Sequence, residues 1–375
     1  MLSKTISPLC FHGGASYKWI GERFENISKR GEVIDADVLD AWFDPSPKAL
    51  QILRDNLAWS LRCSPPAVPI GVEAAIAETI NIPQANIICG SGSSSLIFLA
   101  FPLILSPSSR VLLLDPTYGE YAHVVSKVIR CHLDSFRLNA EENFKVDLNK
   151  LVIAVRDGDY DMVVIVNPNN PSGQLIERGA LEAAINCFPS KTTAWIDEAY
   201  IEYAGKSQSL RSFATRKSNV VVCKSLSKVL AMSGLRAGYL VAKPDLIDRL
   251  KVITPPWSLS LPAQLAVVEA LKDADYYEQC YAQTRSLRRQ LSIDLKACGF
   301  TVMDSVANFL FVDYSPKLPP VDELLSLCQS QRLLLRNVKS MGTSTSDHCF
   351  RVAVKDAAKN RRTVEILSSI VQNFE

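Results

Sequence analysis

Five short apolar runs, at residues 86–89, 110–114, 162–166, 193–196 and 219–223, are together rich in Val and Ile, and each stops at a polar turn containing Gly, Ser or Pro. Longer stretches of helical period lie between them. Apolar runs that do not alternate with polar residues are buried on both faces, which predicts an α/β fold with a mostly parallel sheet covered by helices. Ligands of such sheets bind at the carboxyl ends of the strands. The five turns are therefore where chemistry is expected.

The texture changes after Pro255 and Pro256. A helical stretch is predicted over 261–297, then strands near 308–312, 333–336 and 350–354, and a closing helix over about 359–373. We read 46–256 as a large ligand-binding domain, and 1–45 with 257–375 as an N-terminal segment plus a smaller α+β domain. A chain of 375 residues is long enough for both.

Lys and Arg number 41 against 39 Asp and Glu, a net charge of +2 that offers no general attraction to nucleic acid or to an anionic membrane. No apolar stretch has the length of a membrane span, and the first fourteen residues do not read as a signal peptide, so a cytoplasmic protein with a small-molecule partner is expected. The ten cysteines show no C-x-x-C and no pairing with the four histidines at ligand spacing, so no metal is expected and the thiols read as small buried hydrophobes in a reducing compartment.

Four segments carry chemistry. Ser225-Leu226-Ser227-Lys228 follows the last of the five runs and precedes Ser233-Gly234-Leu235-Arg236. A lysine at a strand end, flanked by hydroxyls and followed by an arginine, suits an imine-forming amine beside a phosphate; the plainer reading is a solvated lysine on a loop. Ser91-Gly92-Ser93-Ser94-Ser95 opens an apolar helix, where small residues let backbone N–H groups approach a phosphate at the positive end of the helix dipole. Helix capping alone would account for one of those serines. Asp197, in Trp195-Ile196-Asp197-Glu198-Ala199-Tyr200, can pair with a protonated ring nitrogen, while Tyr200 can donate to a ring oxygen; a capping Asp and a core Tyr are the alternative. Asn167-Pro168-Asn169-Asn170-Pro171-Ser172-Gly173 is a tight turn whose asparagines can reach the same ring oxygen.

In this order the four segments resemble the fold-type-I pyridoxal-phosphate enzymes, aminotransferase class I and II, over nearly the whole chain. The resemblance implies pyridoxal 5'-phosphate held as a Schiff base on Lys228, with Asp197 at the pyridine nitrogen and Asn170 and Tyr200 at the ring oxygen. Tyr118, in Asp115-Pro116-Thr117-Tyr118, is similar to the aromatic that stacks on the ring. Gly92, Ser93, Ser225, Ser227 and Arg236 match the phosphate cup, and Arg351 matches the arginine for a substrate α-carboxylate. The resemblance also implies a homodimer with shared active sites. Within the family the likeness is to histidinol-phosphate aminotransferases and threonine-phosphate decarboxylases: Phe11-His12-Gly13-Gly14 and Pro256-Trp257-Ser258 are similar to the decarboxylases, and Leu335-Arg336-Asn337 to both, which makes His12 and Arg336 candidates for substrate contact.

Two departures stand out. Relatives carry a Tyr-Pro-Asp-Pro run whose tyrosine reaches the neighbouring subunit's cofactor, and this chain has Cys63-Ser64-Pro65-Pro66. Where relatives carry Asn-x-Asn-Pro, it reads Leu39-Asp40-Ala41-Trp42, in a window that also holds Asp35, Asp37 and Asp44. A pocket wall with Asp40 and Trp42 would attract a cation; a solvated acidic loop is the alternative. A site for a cationic amino acid on this scaffold resembles the enzymes that make cyclic arginine derivatives such as enduracididine or capreomycidine, and that resemblance implies cyclodehydration of a hydroxylated arginine. The rivals are an aminotransferase for a basic or histidinol-phosphate-like donor, a threonine-phosphate-type decarboxylase, and a non-catalytic effector module, which would need a DNA-binding extension that the sequence does not show.

Overall fold

A computed structural model of the chain describes residues 13–21 and 23–374. In chain order their strands are β1 (Ile34–Asp35), β2 (Ile87–Gly90), β3 (Arg110–Asp115), β4 (His132–Arg137), β5 (Met162–Val166), β6 (Thr193–Asp197), β7 (Val220–Ser225), β8 (Gly238–Val241), β9 (Thr301–Val302), β10 (Phe309–Asp313), β11 (Leu333–Leu334), β12 (Arg336–Asn337) and β13 (Cys349–Ala353). Seven form the central sheet in the order β2-β8-β7-β6-β5-β3-β4. From β7 to β4 every pairing is parallel, and β8 runs antiparallel to both β7 and β2.

Helices cover both faces, which explains the unbroken apolar runs. Along β5, Val163 and Ile165 join one core cluster and Met162, Val164 and Val166 the other. Along β6, Ile196 points into the first cluster and Trp195 into the second. The pleat sends alternate side chains to opposite faces, and here both faces are dry.

The second sheet, β12-β13-β10-β9, is antiparallel. The N-terminal segment joins this part of the molecule through β1, which pairs in parallel with β11. Residues around 33–43 are accordingly well buried, with Ala36 and Leu39 in the core.

Two sequence expectations need correction. The helical stretch 261–297 is two helices, Leu261–Leu271 and Ala274–Ala297. The break falls at Lys272 and Asp273, whose carboxylate is engaged 2.6 Å from Lys48 at the start of the helix Pro47–Arg62. The strand expected at 333–336 is β11 and β12, which belong to different sheets with Leu335 between them. The edge strand β4 and the antiparallel β8 lay outside the five runs. No described helix is long and apolar enough to cross a membrane.

Candidate active site

The carboxyl ends of β5, β6 and β7 lie side by side because Val166 pairs with Asp197, and Asp197 with Cys223. They open into a cavity of about 500 Å³ lined by Tyr118, Asn170, Asp197, Tyr200, Ser225, Lys228, Arg236, Arg336 and Arg351, among others. That volume is within the usual range for small-molecule sites.

One end of the cavity is built for an anion. The helix Gly92–Ile104 begins there, and Gly92 has φ +88°, a conformation open to glycine. A Cβ at Gly92 would lie 2.8 Å from Arg236 Nη2, so the bare backbone is what admits the guanidinium. Gly238 does a similar service from β8, since a Cβ there would meet the Ser93 nitrogen at 2.8 Å. Arg236 is further oriented by bonds from Nη1 to the Ser233 carbonyl at 2.9 Å and the Ser227 hydroxyl at 3.4 Å. Backbone N–H groups at a helix start, serine hydroxyls and an arginine make a phosphate cradle. Ser93 and Ser225 line the cavity directly, and Ser227 acts on it through Arg236.

At the other end stands a buried carboxylate. Asp197 Oδ2 accepts from the Tyr121 hydroxyl at 2.7 Å and Oδ1 from the Ala199 backbone at 3.0 Å. Burial pushes its carboxyl up to about 6, against the lowering effect of those hydrogen bonds. A buried carboxylate favours a cationic neighbour. Tyr118 and Tyr200 flank this region. The Tyr118 hydroxyl donates to Glu120 Oε2 at 2.6 Å, which also accepts from Ser94 at 2.9 Å. Tyr200 is buried, edge-on to Phe309, and burial raises its phenol.

Arg336 and Arg351 are direct partners across the antiparallel β12–β13 pair, so both side chains project from the same face toward the cavity. Two like charges opposed in this way need compensation. Asp37 lies between them, its carboxylate 3.4 Å from Arg336 Nη1 and its carbonyl accepting from Arg351 Nη2. Arg351 Nη1 donates to Asn170 Oδ1 at 2.7 Å. Burial pulls the Arg351 guanidinium down to about 10, and its buried Nε has no hydrogen-bond partner among the described residues.

The acidic segment is placed differently from the expectation. Trp42 does not line the cavity; its indole donates to Thr284 at 2.8 Å and packs edge-on against Phe43. Asp40 reaches Lys228 instead, with 2.9 Å between Oδ1 and Nζ, and accepts from Ser233 at 2.6 Å. His12 lies outside the described residues. Tyr121, Glu120, Ser94 and Gly238 are site residues that sequence reasoning missed. Tyr121 carried a usable signal, because it follows Tyr118 by three positions and so returns to the same side of a helix.

The arrangement fits pyridoxal 5'-phosphate: a phosphate cradle, a carboxylate for the ring nitrogen, an aromatic beside it and an amine on the strand-end loop. The family model for aminotransferase class I and II matches residues 46–367. The histidinol-phosphate aminotransferase 1 of Nitrosococcus oceani is 29% identical over 333 residues, covering 88% of this chain and 86% of that protein. Among solved structures, histidinol-phosphate aminotransferase from Sinorhizobium meliloti in complex with pyridoxal-5'-phosphate superposes with a TM-score of 0.86 at 19% identity, covering 100% of this chain and 98% of that one. L-threonine-O-3-phosphate decarboxylase from Porphyromonas gingivalis superposes with a TM-score of 0.74 at 20% identity, covering 88% and 98%. At such identities the two structures bear on the fold alone.

Proposed function

The chain belongs to the aminotransferase class I and II family and is a pyridoxal-phosphate-dependent enzyme, and from that premise we propose that it transfers the amino group of a donor carrying a phosphate or carboxylate, a histidinol-phosphate-like amine. The observation that carries this reading is the opposition of Arg336 and Arg351 on one face of β12–β13, aimed at the cavity. Paired guanidinium forks recognise planar or phosphate anions.

When bound, the cofactor supplies an aldehyde for amino groups and a pyridinium ring that accepts the electron pair left when a bond to the donor's α-carbon breaks. Lys228 would hold it through Nζ and, as a free amine, would be the base at the donor's α-proton. Asp197 would keep the ring nitrogen protonated, its carboxylate held by Tyr121 and the Ala199 backbone. Gly92, Ser93, Ser225, Ser227 and Arg236 hold the phosphate. Tyr118, Tyr200 and Asn170 line the cavity, where Tyr118 would cover the ring and the other two would bond its phenolic oxygen. Asn170 is bonded to Arg351, so the ring contact and the donor's anion are positioned together.

Cyclodehydration of a hydroxylated arginine drew on the acidic segment. That support weakens because Asp37 faces Arg336, Asp40 faces Lys228, and Trp42 turns into the core. We also propose the division into 46–256 and a second domain, a cytoplasmic setting in keeping with the nine free cysteines of the described residues, and a homodimer. Leu57, Trp59 and Leu61 near the end of one helix, with Val68, Ile70 and Trp257, are exposed apolar side chains. Trp257 is tied to Ala67 by a backbone bond, and the adjacent Ser258 carbonyl accepts from Ser91 beside the phosphate cradle. Trp257 therefore stands beside the site, and Leu57 and Leu61, one helical turn apart, share one exposed helix face, in keeping with a second copy of the chain there.

The test is to supply histidinol phosphate, arginine, hydroxyarginine and threonine phosphate separately, each with a 2-oxo acid, and identify the products. With histidinol phosphate, conversion of the 2-oxo acid into its amino acid is expected. Loss of water from hydroxyarginine without amino transfer would overturn the reading in favour of cyclisation, and carbon dioxide from threonine phosphate in favour of decarboxylation.

A further inference from the structure

Asp40 stands 188 residues from Lys228 in sequence and 2.9 Å from it in space. Its carboxylate is held where it is. The Ser233 hydroxyl donates to the same oxygen at 2.6 Å, while the backbone of its segment is anchored by Asn308, which donates to the Leu39 carbonyl at 3.0 Å, and by Lys355, 3.4 Å from the carbonyls of Val38 and Asp40. Burial works to raise the Asp40 carboxyl, yet the Lys228 charge and the Ser233 bond bring it below its ordinary value. The other titratable groups acting around it are Lys355 and the Tyr200 phenol. Asp40 is therefore a fixed carboxylate aimed at the lysine, in a segment that sequence reasoning assigned to the substrate.

We propose that Asp40, with Ser233, is the dock of the Lys228 ammonium: a positioning residue that holds Nζ whenever it is not joined to the cofactor. The inference rests on Lys228 being the cofactor lysine. When Nζ acts as base, the donor's Cα–H bond breaks, an N–H bond forms on Lys228, and the electron pair is left to the acceptor that the cofactor would supply. The amine is then an ammonium, and Asp40, 2.9 Å from Nζ, balances that charge. The dock also keeps a flexible four-carbon side chain from drifting into the donor's space.

The experiment uses the cofactor-free protein and an amine-directed acylating reagent, following labelling of Lys228 by peptide mass spectrometry at fixed pH. A docked ammonium is protected, so Asp40→Asn should raise the Lys228 labelling rate about two- to fivefold, the range for a partly exposed ion pair. Asp40→Glu should restore protection, and Ser233→Ala should give a smaller rise. Lys191, paired with Asp159 elsewhere on the surface, should not change. In the loaded enzyme Asp40→Asn should lower kcat while leaving KM for the amino donor nearly unmoved. Unchanged Lys228 labelling in Asp40→Asn and Ser233→Ala, or a KM increase confined to arginine-type donors, overturns the proposal and returns Asp40 to the substrate. Reductive mapping of the cofactor separates the two failures: cofactor on Lys228 with unaltered labelling refutes only the dock, whereas cofactor on another lysine refutes the reading beneath it.

Discussion

The Tyr121 hydroxyl donates to Asp197 Oδ2 at 2.7 Å and accepts from the Trp195 indole at 3.0 Å. Asp197 and Trp195 are two residues apart on β6, pointing to the same face, and Tyr121 bridges them. The carboxylate that is to hold a ring proton is thus fixed from behind by a buried chain of two hydrogen bonds, leaving its cavity side for the cofactor.

That burial has a consequence for stability. The Asp197 carboxyl, pushed up to about 6 in the folded chain, has an ordinary value of 3.8 when unfolded. A raised value means that its stabilising contribution is fully present below 3.8 and is lost as pH rises through 6. In the cofactor-free protein, wild type should lose on the order of 2–3 kcal/mol from this group between pH 4 and pH 7.5, and Asp197→Asn should not. Urea unfolding of both proteins across that range is the check, and parallel pH dependences would refute it.

Gly92 should be intolerant of any side chain. Gly92→Ala forces a Cβ to within 2.8 Å of Arg236 and an L-residue into φ +88°. The local strain is about 1–2 kcal/mol, so the fold should survive while pyridoxal-phosphate affinity falls roughly tenfold or more. Equilibrium dialysis measures this, and unchanged affinity would remove Gly92 from the cradle.

Arg351→Lys keeps the charge but replaces a planar fork, whose two nitrogens serve Asn170 and the Asp37 carbonyl separately, with a single nitrogen. A hydrogen bond to a charged group is worth about 1.5–3 kcal/mol, so KM for the donor should rise roughly ten- to a hundredfold with kcat less affected. Steady-state kinetics with histidinol phosphate decides. An unchanged KM would place the anion elsewhere.

The sequence was most informative where a segment's neighbours are its own. Strands β5, β6 and β7 were readable because helices cover both their faces. The edge strand β4 was not, since its exposed side chains break the apolar run, and the short β8 hides directly behind the Arg236 loop. Lys228, Asp197, Gly92 and Arg236 stand at strand or helix ends whose chemistry is local. Asp40 and Trp42 were visible as unusual residues, but their partners, Lys228 and Thr284, lie 188 and 242 positions away. No local pattern indicates which of two acidic side chains will turn toward a lysine and which toward an arginine.

The exposed Leu57 and Leu61, one turn apart on the helix Pro47–Arg62, should be covered by a second copy of the chain. Leu57→Asp with Leu61→Asp should convert a dimer into a monomer of much reduced activity, as read by sedimentation velocity and assay on the same samples. A wild-type monomer that is fully active at nanomolar concentration would contradict this.

The central claim is that Lys228 carries the cofactor. Reduction of the pyridoxal-phosphate-loaded protein with borohydride, followed by proteolysis and mass spectrometry, should find the phosphopyridoxyl group on the peptide containing Lys228, and no stable adduct in Lys228→Ala. An adduct on another lysine, or one that persists in Lys228→Ala, would contradict the account.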